Sequence, residues 1–229
     1  MAQFSGDASF SSDRFSGNAS FSSDRFSGNA YFTDAQFSGN VIFSDAQFSG
    51  NADFRGAQFD KELNLDNLKL DRLYINWSSI RDNLVYDGPA YLALIKNFEV
   101  IERFSDADDC YYQYREESRA LKEWYSEKSG WDRSKLLDTI AWITCGYGVR
   151  PIHTVFCMFG VVFVSGIIFL GYFDSLFESF YFSLMTFTGG NPNNLEPGRW
   201  LRSLSMIEAI LGYLFMALFV VVLARKLIR

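Results

Sequence analysis

Between two long apolar runs, at 152–172 and 204–224, the chain carries Ser183-Leu-Met-Thr186-Phe-Thr188-Gly189-Gly190-Asn191-Pro192-Asn193-Asn194. The chemistry on offer there is that of neutral oxygens: hydroxyls, side-chain amides and backbone carbonyls. Such oxygens bind cations by replacing part of the ion's water shell. Three carboxylates lie nearby in sequence, Asp174, Glu178 and Glu196. Repeated around a symmetry axis they would attract cations, with Arg199 and Arg202 opposing part of the charge. Little else in the chain suits chemistry. A single histidine, His153, and three cysteines, Cys110, Cys145 and Cys157, have no metal-ligand spacing and suggest free, mostly buried thiols. No glycine-rich segment ends in Lys and Ser/Thr as a phosphate loop does. Enzyme activity, a resident metal and a cofactor are therefore not expected.

The two apolar runs are long enough to cross a bilayer, which takes about 20 residues. Residues 173–203 between them are too apolar and too short for an ordinary extracellular domain. An apolar piece between two spans dips back into the bilayer, where its backbone must line a cavity or be buried in protein. Arg133, Lys135 and Arg150 precede the first run, and Arg225, Lys226 and Arg229 follow the second. That bias places both termini in the cytoplasm of a multi-pass cell-membrane protein, although Arg199 and Arg202 weigh against it. Residues 1–150 hold 23 acidic and 16 basic side chains, the remainder 4 and 5. Nucleic acid is not expected as a partner, because phosphate binding needs clustered Lys and Arg.

The order span, short apolar helix, Thr186-x-Thr188, glycines, Pro192 and second span resembles the two-span, potassium-channel-like pore family. The likeness covers about Ser175 to Lys226 and includes Arg202, Leu204, Glu208, Gly212, Leu218 and Leu223-Ala-Arg225-Lys226. It implies a homotetramer, a re-entrant pore helix, and monovalent cations (K+ or Na+) as permeant ions. The family's filter reads Thr-Val-Gly-Tyr-Gly-Asp. Here, in an ungapped alignment, Pro192 stands at the tyrosine and Asn191 and Asn193 at the two glycines. Proline lacks an N–H and fixes φ near −65°. The expected result is a shorter or wider mouth lined by Asn amides or backbone, discriminating weakly between K+ and Na+. The alternative is a non-conducting, membrane-anchored scaffold.

Glu208 is either a functional charge in the second span or a hydrogen-bonded brace behind the pore helix. Gly212 is a bending point or a close-packing position. Phe215, Phe219 and Val222 are candidates for an apolar constriction at helical spacing. A second filter-like string, Thr144-Cys-Gly-Tyr-Gly148, follows sequence rich in Asp, Glu, Lys and Arg, with no span to anchor a pore helix. It reads as a tight turn in which glycine supplies φ > 0.

Phenylalanine recurs at 4, 10, 15, 21, 26, 32, 37, 43, 48, 54 and 59, in alternating steps of six and five. The eleven-residue unit is Phe26-Ser-Gly-Asn-Ala-Tyr-Phe32-Thr-Asp-Ala-Gln. So much Gly, Ser, Asn and Asp disfavours helix and favours tight turns, with Phe pointing inward from short strands. The segment resembles the pentapeptide-repeat family, which implies a right-handed, four-sided β-helix. The extra residue in alternate units is a departure from the family pattern. Such a module would be a spacer or assembly platform, or a surface for an unidentified protein partner, including one that recognises a DNA mimic.

Leu65, Leu68, Leu70, Leu73 and Ile75 read as a last coil or cap, because a solenoid end must be covered. Asp87-Gly88-Pro89 starts a helix running up to Phe104, and Asp106 is the expected N-cap of a second. Trp131, Leu136, Leu137, Ile140, Trp142 and Ile143 suggest an amphipathic helix on the membrane surface. The whole is a mixed membrane protein: a β-helical module and cap at 1–80, a helical hairpin at 87–128, an interfacial helix and turn at 131–148, and a two-span pore domain at 151–229.

Overall fold

The protein is described by a computed structural model covering residues 1–126, 130–190 and 199–228. The chain divides into two compact units, Met1–Leu121 and Lys122–Arg229.

The first unit is built on a parallel β-solenoid. Two-residue strands pair with those one coil later: Gln3 with Arg25, Ala8 with Ala30, Arg14 with Gln36, and Ala19 with Val41. The offset is 22 residues, so one coil is two eleven-residue units and has four sides. Three coils stack in this way. Phenylalanines on each side stack along the axis. Phe4, Phe26 and Phe48 lie 4.7 Å apart, Phe10, Phe32 and Phe54 lie 4.9 and 4.5 Å apart, and Phe15, Phe37 and Phe59 lie 4.7 and 5.2 Å apart. Phe21 and Phe43 make the fourth stack at 4.9 Å. Ala30, Ala35, Ala46 and Ala52 fill the corners between rings and are fully buried.

The alternation of six and five has a geometric cause. After Phe10, Phe21, Phe32, Phe43, Phe54 and Leu65 the chain makes a four-residue turn, closed by bonds such as Asp24 N–H to the Phe21 carbonyl at 3.1 Å. The third residue of each turn has positive φ: Ser12 61°, Ser23 60°, Asp34 57°, Asp45 58°, Gly56 74° and Asn67 53°. That is the third position of a type II turn. The longer sides instead turn through Ser-Gly-Asn. There the Asn29 N–H donates to Asp7 Oδ1 at 2.7 Å, Asn40 N–H to Asn18 Oδ1 at 3.0 Å, and Asn51 N–H to Asn29 Oδ1 at 3.0 Å. Glycine is required at this corner. A Cβ on Gly39 would lie 2.4 Å from the Gly17 carbonyl carbon, and one on Gly50 2.6 Å from the Gly28 oxygen.

The last coil is covered by three helices, α1 (Trp77–Ile80), α2 (Gly88–Val100) and α3 (Phe104–Leu121). Solenoid and helices share one core, in which Trp77, Ile80, Tyr91, Leu94 and Phe98 are buried. The exposed ladder edge at Leu73 ends on a side chain. Asn97 of α2 accepts from the Leu73 N–H at 2.9 Å and donates to the Leu73 carbonyl at 2.8 Å. Its amide takes the place of one more strand. Residues 83–85 close another side, with Leu63 N–H bonded to Asn83 O and Val85 N–H to Leu63 O.

Asp87 caps α2 by accepting from Ala90 N–H at 3.0 Å. The α2–α3 joint departs from the sequence expectation. Glu102 takes a left-handed φ of 59°, and Arg103 N–H bonds back to the Phe98 carbonyl. This glycine-type helix end stops α2 at Val100 and lets α3 begin at Phe104. Asp106 therefore lies in the first turn of α3 and pairs with Arg103 at 2.5 Å, rather than acting as the N-cap. Within the hairpin, Tyr91 donates to Glu117 at 3.1 Å. Burial, reinforced by Glu117, pushes the Tyr91 phenol far above its usual range. Burial does the same to the Cys110 thiol, leaving it unreactive.

Replacing Asn97 with Leu tests the cap. It strands the Leu73 N–H and carbonyl inside the protein, each costing roughly 1–3 kcal/mol. Hydrogen exchange on the full chain should show residues 69–74 losing protection while Gln36–Phe37 keeps it. Unchanged protection at 69–74 would show that the amide does not hold the edge.

Candidate functional site

The second unit begins with α4 (Arg133–Cys145), whose Asp132 N-cap accepts from Ser134 N–H at 2.8 Å. Leu136, Leu137, Ile140 and Ile143 are exposed along it, while Asp138 is buried and pairs with Lys122 at 2.5 Å. The filter-like string Thr144–Gly148 closes this helix. Gly146, Tyr147 and Gly148 have φ of 52°, 58° and 77°, and Arg225 Nη1 reaches the Gly148 carbonyl at 3.5 Å. It is a turn.

Two helices are long and apolar enough to cross a membrane: α5 (Pro151–Phe169) and most of α7 (Arg199–Ile228), over Trp200–Ile228. Pro151 opens α5 at the position where its missing N–H costs nothing. Between them lies α6 (Leu176–Phe187). Twelve residues at 1.5 Å each make it about 18 Å long.

Close approaches hold α6 against both neighbours. A Cβ on Gly166 of α5 would fall 2.6 Å from the Phe180 ring, and one on Gly212 of α7 2.0 Å from the Phe187 carbonyl oxygen. Gly212 is thus a close-packing position. Phe182 of α6 meets Phe169 of α5 edge-on at 4.9 Å, and Phe173 at 5.2 Å. Ser183 lies among all three helices: its hydroxyl contacts the Val162 carbonyl of α5 at 3.0 Å and donates to Glu208 Oε1 of α7. Glu208 is 1% exposed. The contact ties α7 to α6.

The C-terminal end of α6 carries the candidate oxygens. Thr186 is buried and Thr188 is the C-cap, its hydroxyl turned back to the Leu184 carbonyl at 2.9 Å. Gly189 has φ of 79°. Its N–H bonds to Thr186 O at 3.0 Å, and the Gly190 N–H to Met185 O at 2.7 Å. These two bonds with a left-handed glycine are the Schellman helix end. Gly189 and Gly190 are therefore occupied in terminating α6. Asn191, Pro192, Asn193, Asn194 and Glu196 lie outside the described residues. Asp174, just before α6, and Glu178 in its first turn are exposed at the other end of the helix, Glu178 about 15 Å from Thr188 by helix rise. The structure does not cluster them with Thr188–Gly190.

Phe215 lines an apolar groove of about 970 Å³ with Ile152, Phe156, Val164 and Leu211. Phe219 is half-buried and Val222 buried. The side of α7 bearing Phe215 is thus turned toward α5 of its own chain. Two residues escaped the sequence reading as site groups. Ser183 was legible as a small polar residue inside an apolar helix. Tyr213, whose hydroxyl covers Gly189, gave no signal beyond its place after Gly212.

In comparison with known proteins, residues 24–68 match the family described as pentapeptide repeats (9 copies). The N-terminal module is a pentapeptide-repeat domain. No curated protein and no solved structure matches the chain. The matched stretch lies within the coils of the pentapeptide-repeat domain, where turns of alternating kind absorb the eleven-residue unit.

The packing of α6 makes a prediction. Gly212→Leu must force α6 off α7, a strain of about 1–3 kcal/mol, and should lower the melting temperature of the detergent-solubilised protein by several degrees. Gly160→Leu, at a helical glycine with nothing within 4 Å, should melt as the parent does. Equal melting of all three would show that the α6–α7 contact is not tight.

Proposed function

We propose that this chain is the pore-forming subunit of a homotetrameric cation channel of the cell membrane, with both termini and the pentapeptide-repeat domain in the cytoplasm. The observation that carries the reading is α6, wedged between α5 and α7 by Gly166, Gly212 and the Ser183–Glu208 contact. At about 18 Å it is too short for a bilayer core of about 30 Å, so its C-terminal end lies at membrane depth. Irregular backbone is tolerated at that depth only where protein buries it or water reaches it. One subunit cannot enclose such a path, and symmetric copies can.

The C-terminal end of a helix is partially negative, which favours cations at Thr188–Gly190. Apolar side chains exposed along α5 and α7, among them Phe156, Phe159, Phe163, Ile210, Leu214 and Val221, suit lipid or neighbouring subunits better than water. In this reading Asp174, Glu178 and Glu196 supply an acidic outer vestibule, and Glu208 is a brace. The pore passes partly hydrated K+ and Na+ with little discrimination.

A second reading, a membrane-anchored scaffold that does not conduct, is favoured by one observation. The Schellman end at Gly189–Gly190 commits both glycine N–H groups to α6, where an extended filter would leave the strand free.

Purified protein in liposomes separates the two. A tetramer by native mass spectrometry together with K+ and Na+ flux is expected; a tetramer or smaller species with no flux selects the scaffold, and a monomer or dimer removes the pore.

Topology has its own test. In a background without native cysteines, Cys at Asn194 should react with a membrane-impermeant thiol reagent applied outside intact cells. Native Cys145, alone in its background, should not. Labelling of Cys145 with a silent Asn194→Cys would invert the assigned orientation.

A further inference from the structure

The residue following Gly212 in α7 stands in an unusual place. An ideal Cβ on Gly189 would lie 2.2 Å from the Tyr213 hydroxyl oxygen and 2.8 Å from Cζ. The phenol therefore lies directly against the Gly189 backbone, at the foot of the segment that leaves α6. Successive residues divide two tasks. Gly212, buried under the Phe187 carbonyl, lets the two helices touch. Tyr213, about 100° further round the helix, reaches the Schellman turn.

The ring is otherwise uncovered: Tyr213 is 61% exposed. On the same face of α7, at helical spacing from Tyr213, Met216, Ala217 and Val220 are also exposed, and all are apolar. From 213 to 221 the only polar side chain is the phenol. A hydroxyl on an apolar wall at bilayer depth is costly unless something uses it.

We propose that Tyr213 is an ion-binding residue of the pore, its hydroxyl coordinating the permeant monovalent cation at the inner end of the Thr188–Gly190 segment. The inference rests on the channel reading. Four copies about the axis place four phenol oxygens beside four helix C-termini. The helix ends supply negative partial charge. The phenols supply hard neutral oxygens, the same donor type as the backbone carbonyls of a filter. The four hydroxyls replace part of the ion's hydration, and the sequence 191–194 has neither the tyrosine nor the glycines of a multi-site carbonyl filter. Gly189 is held to glycine twice over, by its positive φ and by the phenol above it.

The test compares the full-length protein with Tyr213→Phe in liposomes under K+ and Na+ gradients, with native mass spectrometry of both. Phenylalanine keeps the ring and removes the oxygen alone. The variant should remain tetrameric, while flux falls about fivefold or more, the factor that goes with a single lost hydrogen-bond-strength contact, of which each tetramer loses four. Parent-like flux in a tetrameric Tyr213→Phe overturns the proposal and leaves the channel reading standing. A parent protein that passes no ions overturns both.

Tyr213→Cys, in a chain lacking Cys110, Cys145 and Cys157, keeps the question decidable if the phenylalanine variant does not assemble. A cationic methanethiosulfonate should block its flux, and K+ should slow the block. A thiol that never reacts, in a conducting channel, places residue 213 off the ion path and overturns the proposal.

Discussion

Adjacent strands in a β-ladder are about 4.8 Å apart, and aromatic rings offset in a stack prefer nearly the same separation. The pentapeptide-repeat domain depends on that coincidence. With ring separations of 4.5 to 5.2 Å, the backbone ladder and the phenylalanine stacks ask for the same rise per coil. Each reinforces the other, and backbone costs elsewhere become tolerable. Left-handed φ at Ser12, Ser23, Asp34, Asp45 and Asn67 costs on the order of 1–2 kcal/mol per residue. A buried phenylalanine returns about 1.5–3 kcal/mol, and each eleven-residue unit brings two of them for one strained corner.

The α5–α7 unit has a different limiting condition. Surrounded by lipid, its helices would gain little from pushing apolar side chains together, because the solvent is equally apolar. What remains is contact distance and polar pairing. Both are present at small residues: Gly166 under Phe180, Gly212 under Phe187, and Ser183 against Glu208. A brace of this kind fixes where α6 ends, and with it the position of every group that follows Phe187.

The parts legible in the sequence were those in which one side-chain type reports one environment. Phenylalanine marks the inside of the solenoid at each recurrence, so the eleven-residue period is legible in its spacing. Hydropathy alone found α5 and α7. The rest depends on partners distant in sequence or on backbone closure. Asn97 reads as an ordinary polar residue in α2 until Leu73 is beside it. Asp106 looked like a cap because the left-handed turn at Glu102, a residue type rarely found there, is invisible in sequence. Gly189-Gly190 reads in sequence as a filter element, although a glycine directly after an apolar helix is also the common helix stop. Tyr213 acquires meaning only when α6 lies across Gly212.

The 22-residue coil makes the solenoid a rotary counter. Each eleven-residue unit carries the chain half a circuit around the axis, while Asn97 fixes the orientation of the final coil. Gain or loss of one unit would therefore swing the N-terminal end to the opposite flank of the solenoid. Gain or loss of two would lengthen or shorten the column by one strand spacing, about 4.8 Å, and leave its heading unchanged. Whatever meets the first coil reads direction from unit parity and distance from coil number, two settings that drift in repeat number can change independently of every residue in α1 to α7.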